Sequence, residues 1–411
     1  MSANVYDILM ERGLIKQASH PEETRELLAN ERVTFYIGFD PTADSLHIGH
    51  YVVLMTMAHM QRAGHRPIVL LGGGTAMIGD PSGKTELRRM LTQQDIDRNA
   101  ACFRKQMERI VSFEGENGAI MVNNADWLRP LNFLEFMKEV GTEFTVNRML
   151  AAECYKMRMQ SGLTFFEMSY MLMQSYDFLM LNRRYGCVLQ MGGDDQWSNM
   201  LGGVDLIRKK ERKPVSCVTT GLLVNSEGNK MGKTERGAMW LDPDKCPVYD
   251  FYQYWRNIPD ADVETCLGML TFIPMEEVRA LCAEGGAALN EAKRVLAFAL
   301  TEQVHGTEAA QRAQQAAEAL FCGGGDISHM PTIELTAQDA ERTGLRVVEL
   351  LVLGGLCKSN SDARRMIASG AVFCDGDKIT DINARLDESR LAGGVILKKG
   401  KKGFVRVLAA K

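Results

Sequence analysis

The sequence predicts an α/β fold: a doubly wound parallel sheet, followed by a helical domain and a small C-terminal α/β unit. Three observations predict it. Between residues 33 and 219, short apolar, β-branched runs alternate with longer stretches of helical periodicity, the pattern of strands joined by crossover helices. Residues 247–321 carry helical periodicity alone. The chain then breaks at Cys322-Gly-Gly-Gly325, and short mixed segments return from residue 345. With 411 residues, the chain is too long for one ordinary core, so two or three domains are expected.

The elements follow in order. Residues 1–17 read as a short amphipathic helix on Val5, Ile8, Leu9 and Leu14, with no charged region leading into an apolar block. Neither an export signal nor a transit peptide is expected. Residues 33–39 form a buried strand, 48–60 a helix, and 67–71 a second strand ending in Gly72-Gly73-Gly74. Residues 91–111 are helical, 119–122 and 187–191 are strands, 195–210 are helical, and 215–219 form the last strand. Residues 127–185 are almost wholly helical, an insertion into the sheet. The resulting organisation is a sheet domain over 1–246, a helical domain over 247–325, a linker over 326–344 and a C-terminal unit over 345–411.

Composition narrows the functional classes. No apolar run approaches the ~18 residues a membrane span needs, so a cytoplasmic protein without membrane contact is expected. None of the ten cysteines lies within four residues of another, which excludes close-spaced zinc motifs and suits reduced thiols. Residues 346–411 hold 13 Lys/Arg against 7 Asp/Glu, leaving 35 against 45 in the rest. An acidic body with a basic end fits a polyanion-binding module, and fits a merely solvated basic surface as well.

The residues that carry chemistry begin with Tyr36-Ile-Gly38-Phe-Asp40-Pro-Thr42-Ala-Asp-Ser-Leu-His47-Ile-Gly49-His50, a strand running into a helix. Asp44 or Ser45 is the expected cap. His47 and His50, three apart, then share the first helical turn, where backbone N–H groups and the macrodipole attract anions. Two histidines there also fit a metal or a structural role. Lys230-Met-Gly-Lys233-Thr234 follows the turn-rich Asn225-Ser-Glu-Gly-Asn229, which puts both lysines on an exposed loop spanning about 225–236. Gly79-Asp80-Pro-Ser-Gly83-Lys84-Thr85 imitates a P-loop, yet it has three residues between its glycines instead of four, and Pro81 removes a donor.

Tyr170, Gln174 and Asp177 fall at i, i+4 and i+7 of an otherwise Met/Leu/Phe-rich helix. A polar stripe there is either solvent-facing or a set of ligand-directed groups. In Gln190-Met-Gly-Gly193-Asp-Asp195-Gln196-Trp197, a strand end turns into a helix. Its glycines permit close backbone approach, and Asp195 suits either ribose hydroxyls or a helix cap. Near the C-terminus, Ser359 to Gly376 reads as a helix, a glycine turn at Gly370 and a strand, with Lys398-Lys-Gly-Lys-Lys402 as a hairpin-like tip.

These motifs together resemble a known family. His47-Ile-Gly-His50 is similar to the first signature of class I aminoacyl-tRNA synthetases, and Lys230-Met-Gly-Lys233-Thr234 to the second, in the expected order. The Gly-Asp-Pro-Ser-Gly-Lys stretch and the C-terminal S4-like, RNA-binding pattern match the bacterial tyrosyl enzymes. The resemblance implies a Rossmann-like catalytic domain that activates L-tyrosine with ATP and transfers it to the 3′ end of tRNA(Tyr). It implies that Tyr36 and Asp177 meet the phenol hydroxyl, and that Asp80, Tyr170, Gln174 and Gln196 hold the remainder of tyrosine. Gly38, Asp40, His47, Gly49, His50, Gly193, Asp195 and Lys233 would serve ATP. Thr42, His47, His50, Lys84, Arg88, Lys230, Lys233 and Thr234 would stabilise charge on the transferring and departing phosphates. Lys358, Arg364, Arg365 and Lys378 would contact RNA phosphates. Magnesium is expected with ATP, no prosthetic group or protein-bound metal is expected, and a homodimer is. Asp194, where the family pattern has Ser, is expected to point away from the phosphates. The rival readings are a tryptophanyl relative and an inactive RNA-binding paralogue.

Overall fold

A computed structural model describes residues 4–80, 92–234, 237–286, 288–322, 332–391, 394–400 and 403–409. The chain forms two compact units, Met1–Ala310 and Gln311–Lys411.

In the first unit, strands β1 (Gln17–Ala18), β2 (Thr34–Phe39), β3 (Arg66–Leu71), β4 (Ile120–Asn123), β5 (Leu189–Gly193) and β6 (Ser216–Thr220) form one sheet. Its order is β1-β6-β5-β2-β3-β4. All neighbouring pairs are parallel except β1 with β6. The two-residue β1 escaped the sequence reading because so short a strand has no periodicity. The expected strands at 33–39, 67–71, 119–122, 187–191 and 215–219 each lie within about two residues of those observed. They are recognisable because parallel strands are buried on both faces and read as continuous apolar runs. The sequence turns outward to β3 and β4 on one side of β2 and to β5 and β6 on the other. The carboxyl ends of β2 and β5 therefore flank the crevice where such sheets bind ligands.

The insertion after β4 is helical, as read, and ends in the long helix Phe165–Tyr185. That helix starts at a Thr164–Glu167 capping box and stops at left-handed Gly186. Its inner side packs Met171, Phe178, Leu179 and Leu181 into the core beside the sheet.

The helices Val248–Arg256, Val263–Leu270, Met275–Cys282 and Ala288–His305 belong to the same compact unit as the sheet. Arg12 joins them, its buried guanidinium donating to the carbonyls of Gly268, Thr271 and Ile273 at 2.9, 2.9 and 2.6 Å. The Tyr51 hydroxyl donates to the Leu270 carbonyl at 3.1 Å and hydrogen-bonds Gln303 at 2.7 Å. These bonds span more than 200 residues, so local periodicity could not distinguish a separate helical domain from a packed extension.

The second unit holds a five-stranded sheet of β9 (Thr332–Leu335), β10 (Val372–Cys374), β11 (Asp377–Ile379), β12 (Val395–Lys399) and β13 (Gly403–Ala409), in the order β11-β10-β12-β13-β9. The strand β9 and the helix Ala337–Thr343 lie in the stretch read as a linker. Parallel pairing with β13 buries Leu335 in the C-terminal core, a gain invisible in a four-residue run. Lys398 and Lys399, read as part of a loop tip, are the last two residues of β12.

Candidate active site

A cavity of about 320 Å³ opens at the carboxyl ends of β2 and β5. Its lining includes Tyr36, Gly38, Asp40, Thr42, His47, Gly49, His50, Asp80, Tyr170, Gln174, Asp177, Gly193, Asp195 and Gln196. Fourteen separately argued residues thus converge on one space. Of the others, Lys84 and Arg88 fall outside the described residues, as do the side chains of Lys233 and Thr234. Lys230 is exposed and does not line the cavity. Lys358, Arg364, Arg365 and Lys378 are exposed in the second unit, where Arg365 pairs with Asp362 at 2.8 Å.

The mouth is built by the helix Ile48–Arg62. Its N-cap is neither Asp44 nor Ser45 but His47. Asp44 pairs instead with Lys245 at 2.6 Å, and Ser45 is buried, donating to the Leu46 carbonyl. His47 Nδ1 accepts from the Gly49 N–H at 3.0 Å, and His50 Nδ1 accepts from the His47 N–H at 3.2 Å. The two rings stack with centroids 3.9 Å apart. Because each Nδ1 is an acceptor, each proton falls to Nε2, and two N–H donors result. Burial lowers the His47 pKa, so that ring is a neutral donor near pH 7.

The second signature meets the first here. Ile48 N–H donates to the Met239 carbonyl at 3.0 Å, and Met239 N–H donates to the Gly232 carbonyl at 2.7 Å. Gly232 N–H donates to the Tyr254 hydroxyl at 3.0 Å. The strands β7 (Lys233–Thr234) and β8 (Gly237–Ala238) pair immediately beyond. Asn225 holds the preceding turn, its side chain accepting from the Asn229 N–H at 2.8 Å.

Deeper in, Tyr36 on β2 lies opposite Gln190 on β5. Tyr36 is 1% exposed, and its hydroxyl has no hydrogen-bond partner among the described residues. Gln174 Oε1 and Gln190 Oε1 are buried in the same condition. Each such group costs on the order of 1–3 kcal/mol if nothing pairs with it, so three around one cavity argue for a polar ligand. Asp177, 2% exposed, accepts from Asn124 Nδ2 at 2.9 Å and Trp127 Nε1 at 2.7 Å. Burial pushes its carboxyl up to about 7, with the Asn124 and Trp127 bonds opposing and Asp40 adding. Burial, and then Asp177, raise the Tyr36 phenol well above its ordinary value.

A second polar group lies nearer the mouth. The Tyr170 hydroxyl donates to Asp40 Oδ2 at 2.9 Å, and the Thr75 hydroxyl to Asp40 Oδ1 at 2.8 Å. Gln196 Nε2 donates to Asp80 Oδ2 at 2.6 Å. Small residues make room: a Cβ on Gly72 would sit 1.9 Å from Asp40 Oδ1, and one on Gly193 would sit 2.6 Å from Asp195 Oδ1. Asp194 is absent from the lining and accepts from Gln17 and Thr219 at 2.8 Å each.

Sequence reasoning passed over Thr75, Asn124, Trp127 and Gln190. Gln190 was detectable, since a Gln between Leu189 and Met191 in a buried strand is a polar group needing a partner. The others are joined to the site only by the folded chain.

The chain is similar to known proteins over nearly its whole length. The family model described as tRNA synthetases class I (W and Y) matches residues 28–322, and the Tyrosine--tRNA ligase SYY-like C-terminal domain matches residues 325–407. The chain is 57% identical to the Tyrosine--tRNA ligase of Clostridium kluyveri over 407 residues, covering 99% of both chains.

The chain belongs to the tyrosine–tRNA ligase family.

A Clostridium botulinum Tyrosine--tRNA ligase is likewise 57% identical over 408 residues, again with 99% of each covered. Among solved structures, a C-terminally truncated Aspergillus nidulans mitochondrial tyrosyl-tRNA synthetase superposes with a TM-score of 0.70 at 28% identity. The match covers 78% of this chain and 94% of that one. A tryptophanyl-tRNA synthetase from Encephalitozoon cuniculi, at 14% identity and a TM-score of 0.55, shares the fold alone. Membership in the tyrosine ligases therefore stands, and the tryptophanyl reading is not favoured. No described helix is long and apolar enough to cross a membrane.

Proposed function

We propose that this chain activates L-tyrosine with ATP and transfers the tyrosyl group to the 3′-terminal ribose of tRNA(Tyr). The observation that carries the reading is the juxtaposition in one cavity of the buried Tyr36–Asp177 pair and the His47–His50 donors. The phenol hydroxyl of the substrate would pair with Tyr36 and Asp177. Its ammonium would lie by Asp80, Tyr170, Gln174 and Gln196, with Asp40 fixing Tyr170 as a positioning residue. The adenosine ribose would meet Asp195, with Gly38, Gly49 and Gly193 giving close approach.

In the first step a carboxylate oxygen of tyrosine attacks the α-phosphorus, the bond to the bridging oxygen breaks, and pyrophosphate leaves. The His47 and His50 N–H donors, Thr42, and a loop bearing Lys230, Lys233 and Thr234 stabilise the charge that develops. Lys84 and Arg88 would face the departing pyrophosphate. In the second step the tRNA hydroxyl attacks the acyl carbon and AMP leaves. Magnesium arrives on the ATP phosphates as part of the substrate.

Exposed Phe133, Leu134, Val146, Phe165 and Phe166 in the insertion support a homodimer that covers them. The nine cysteines whose side chains are described are free, which suits a cytoplasmic protein. Lys358, Arg364, Arg365 and Lys378 would give phosphate contacts that lend affinity and salt dependence.

Isotope exchange between pyrophosphate and ATP, run with each amino acid in turn, tests the reading. Tyrosine-dependent exchange is expected, and Lys233→Ala should slow it while leaving tyrosine affinity unchanged. Tryptophan-dependent exchange, or no exchange, would overturn it.

A further inference from the structure

The outward face of the C-terminal sheet carries a row of four side chains, of which the proposed chemistry uses only Lys378. Pairing places Lys378 opposite Phe373, Phe373 opposite Lys398, and Lys398 opposite Phe404. One residue from each of β11, β10, β12 and β13 thus lines up across four adjacent strands, Lys-Phe-Lys-Phe. Their neighbours Val372, Cys374, Leu397, Val405 and Val407 point to the other face and are buried in the core. Phe373 and Phe404 stay outside that core and remain partly exposed. The helix Asn360–Ala368, which bears Arg364 and Arg365, packs on the inner face through Ala363 and Ile367. The row therefore faces away from it.

The chemistry of the row is specific. Lys398 Nζ lies 5.6 Å from the Phe373 ring centroid and 5.2 Å from that of Phe404. With strands ~4.8 Å apart, the rings lie roughly 10 Å from each other with an ammonium between them. Arg406 follows Phe404 by two positions on the same face, and Lys378 extends the charge at the other end. A cation–π bridge accounts for Lys398, and the exposed Lys378 adds charge at the edge of the row. Flat apolar rings interleaved with cations complement a ligand that alternates flat bases with phosphates. Duplex RNA hides its base faces and would leave the rings without a partner.

We propose that this face is a stacking platform for unpaired nucleotides of the bound tRNA. Phe373 and Phe404 take the base faces, and Lys378 and Lys398 take the phosphates between them. The proposal rests on the tRNA-charging reading.

The test measures binding of a tRNA(Tyr) transcript to the full chain by filter retention, with Tm and tyrosine-dependent pyrophosphate exchange as controls that need no tRNA. Phe373→Ala and Phe404→Ala should each weaken Kd roughly five- to hundredfold. Phe404→Leu, which keeps apolar bulk without the aromatic face, should be weakened too, and Phe373→Tyr should bind like the parent. Phe373→Trp adds a direct readout: its fluorescence, relative to the parent, should be quenched by tRNA and not by heparin, which has charge without bases. Parent-like Kd for both Ala variants, or equal quenching by tRNA and heparin, would overturn the platform while leaving tRNA charging intact. Failure of the parent to bind tRNA would overturn the charging reading and this one with it.

Discussion

A Cβ built on Gly232 would lie 1.8 Å from Ile48 Cγ2, so the second signature is seated directly on the first turn of the first signature's helix. Gly232 also has φ +78°, a conformation that costs other residues ~1 kcal/mol or more. The position admits no side chain for two independent reasons. Gly232→Ala should lift the loop, slow tyrosine-dependent pyrophosphate exchange at least tenfold and leave tyrosine affinity unchanged. Adding Ile48→Ala should recover part of the rate, since it removes the clash but not the backbone strain. Stopped-flow measurement of adenylate formation checks both variants.

His47 has two functions that substitution can separate. As N-cap it holds the helix start, and as a donor it faces the cavity mouth. His47→Ala should lose both, costing about 0.5–2 kcal/mol of stability as well as activation rate. His47→Asn supplies a good cap without an imidazole. It should keep the parent's Tm and still activate tyrosine slowly. Calorimetry alongside exchange kinetics distinguishes the two.

Asp177 gives a pH signature. Its carboxyl is raised to about 7 in the folded chain, against ~3.9 unfolded. The folded state therefore holds a proton that the unfolded state has released between those values. The stabilisation this gives is complete below pH ~3.9 and is lost as pH rises through about 7. By linkage the loss is on the order of 4 kcal/mol. Asp177→Asn cannot titrate, so its stability relative to the parent should improve as pH rises from 4.5 to 7.5. Urea unfolding across that range checks the slope, whatever offset the altered bonds to Asn124 and Trp127 introduce.

The legible part of the site was the part written in local sequence. The i, i+4, i+7 spacing of Tyr170, Gln174 and Asp177 was visible because one helix carries all three, and all three line the cavity. The paired imidazoles were visible for the same reason. Their cap was not, because a histidine acting as its own helix's N-cap gives no signal that Asp44 and Ser45 do not give more strongly. Asn124 and Trp127 fix Asp177 across about 50 residues, and Arg12 reaches carbonyls more than 250 residues away. Contacts at that range have no periodicity to read. In the C-terminal unit β9 was missed because its strand character comes from pairing with β13 rather than from its own four residues.

The proposed function gives recognition of the substrate's phenol hydroxyl to Tyr36 and Asp177. The ratio of kcat/KM for tyrosine over phenylalanine, measured by pyrophosphate exchange in the parent and in Tyr36→Phe, tests it most directly. Removing the hydroxyl of Tyr36 should lower kcat/KM for tyrosine by about 10- to 100-fold and change that for phenylalanine much less, so the ratio falls. An unchanged ratio would contradict the assignment of this pocket.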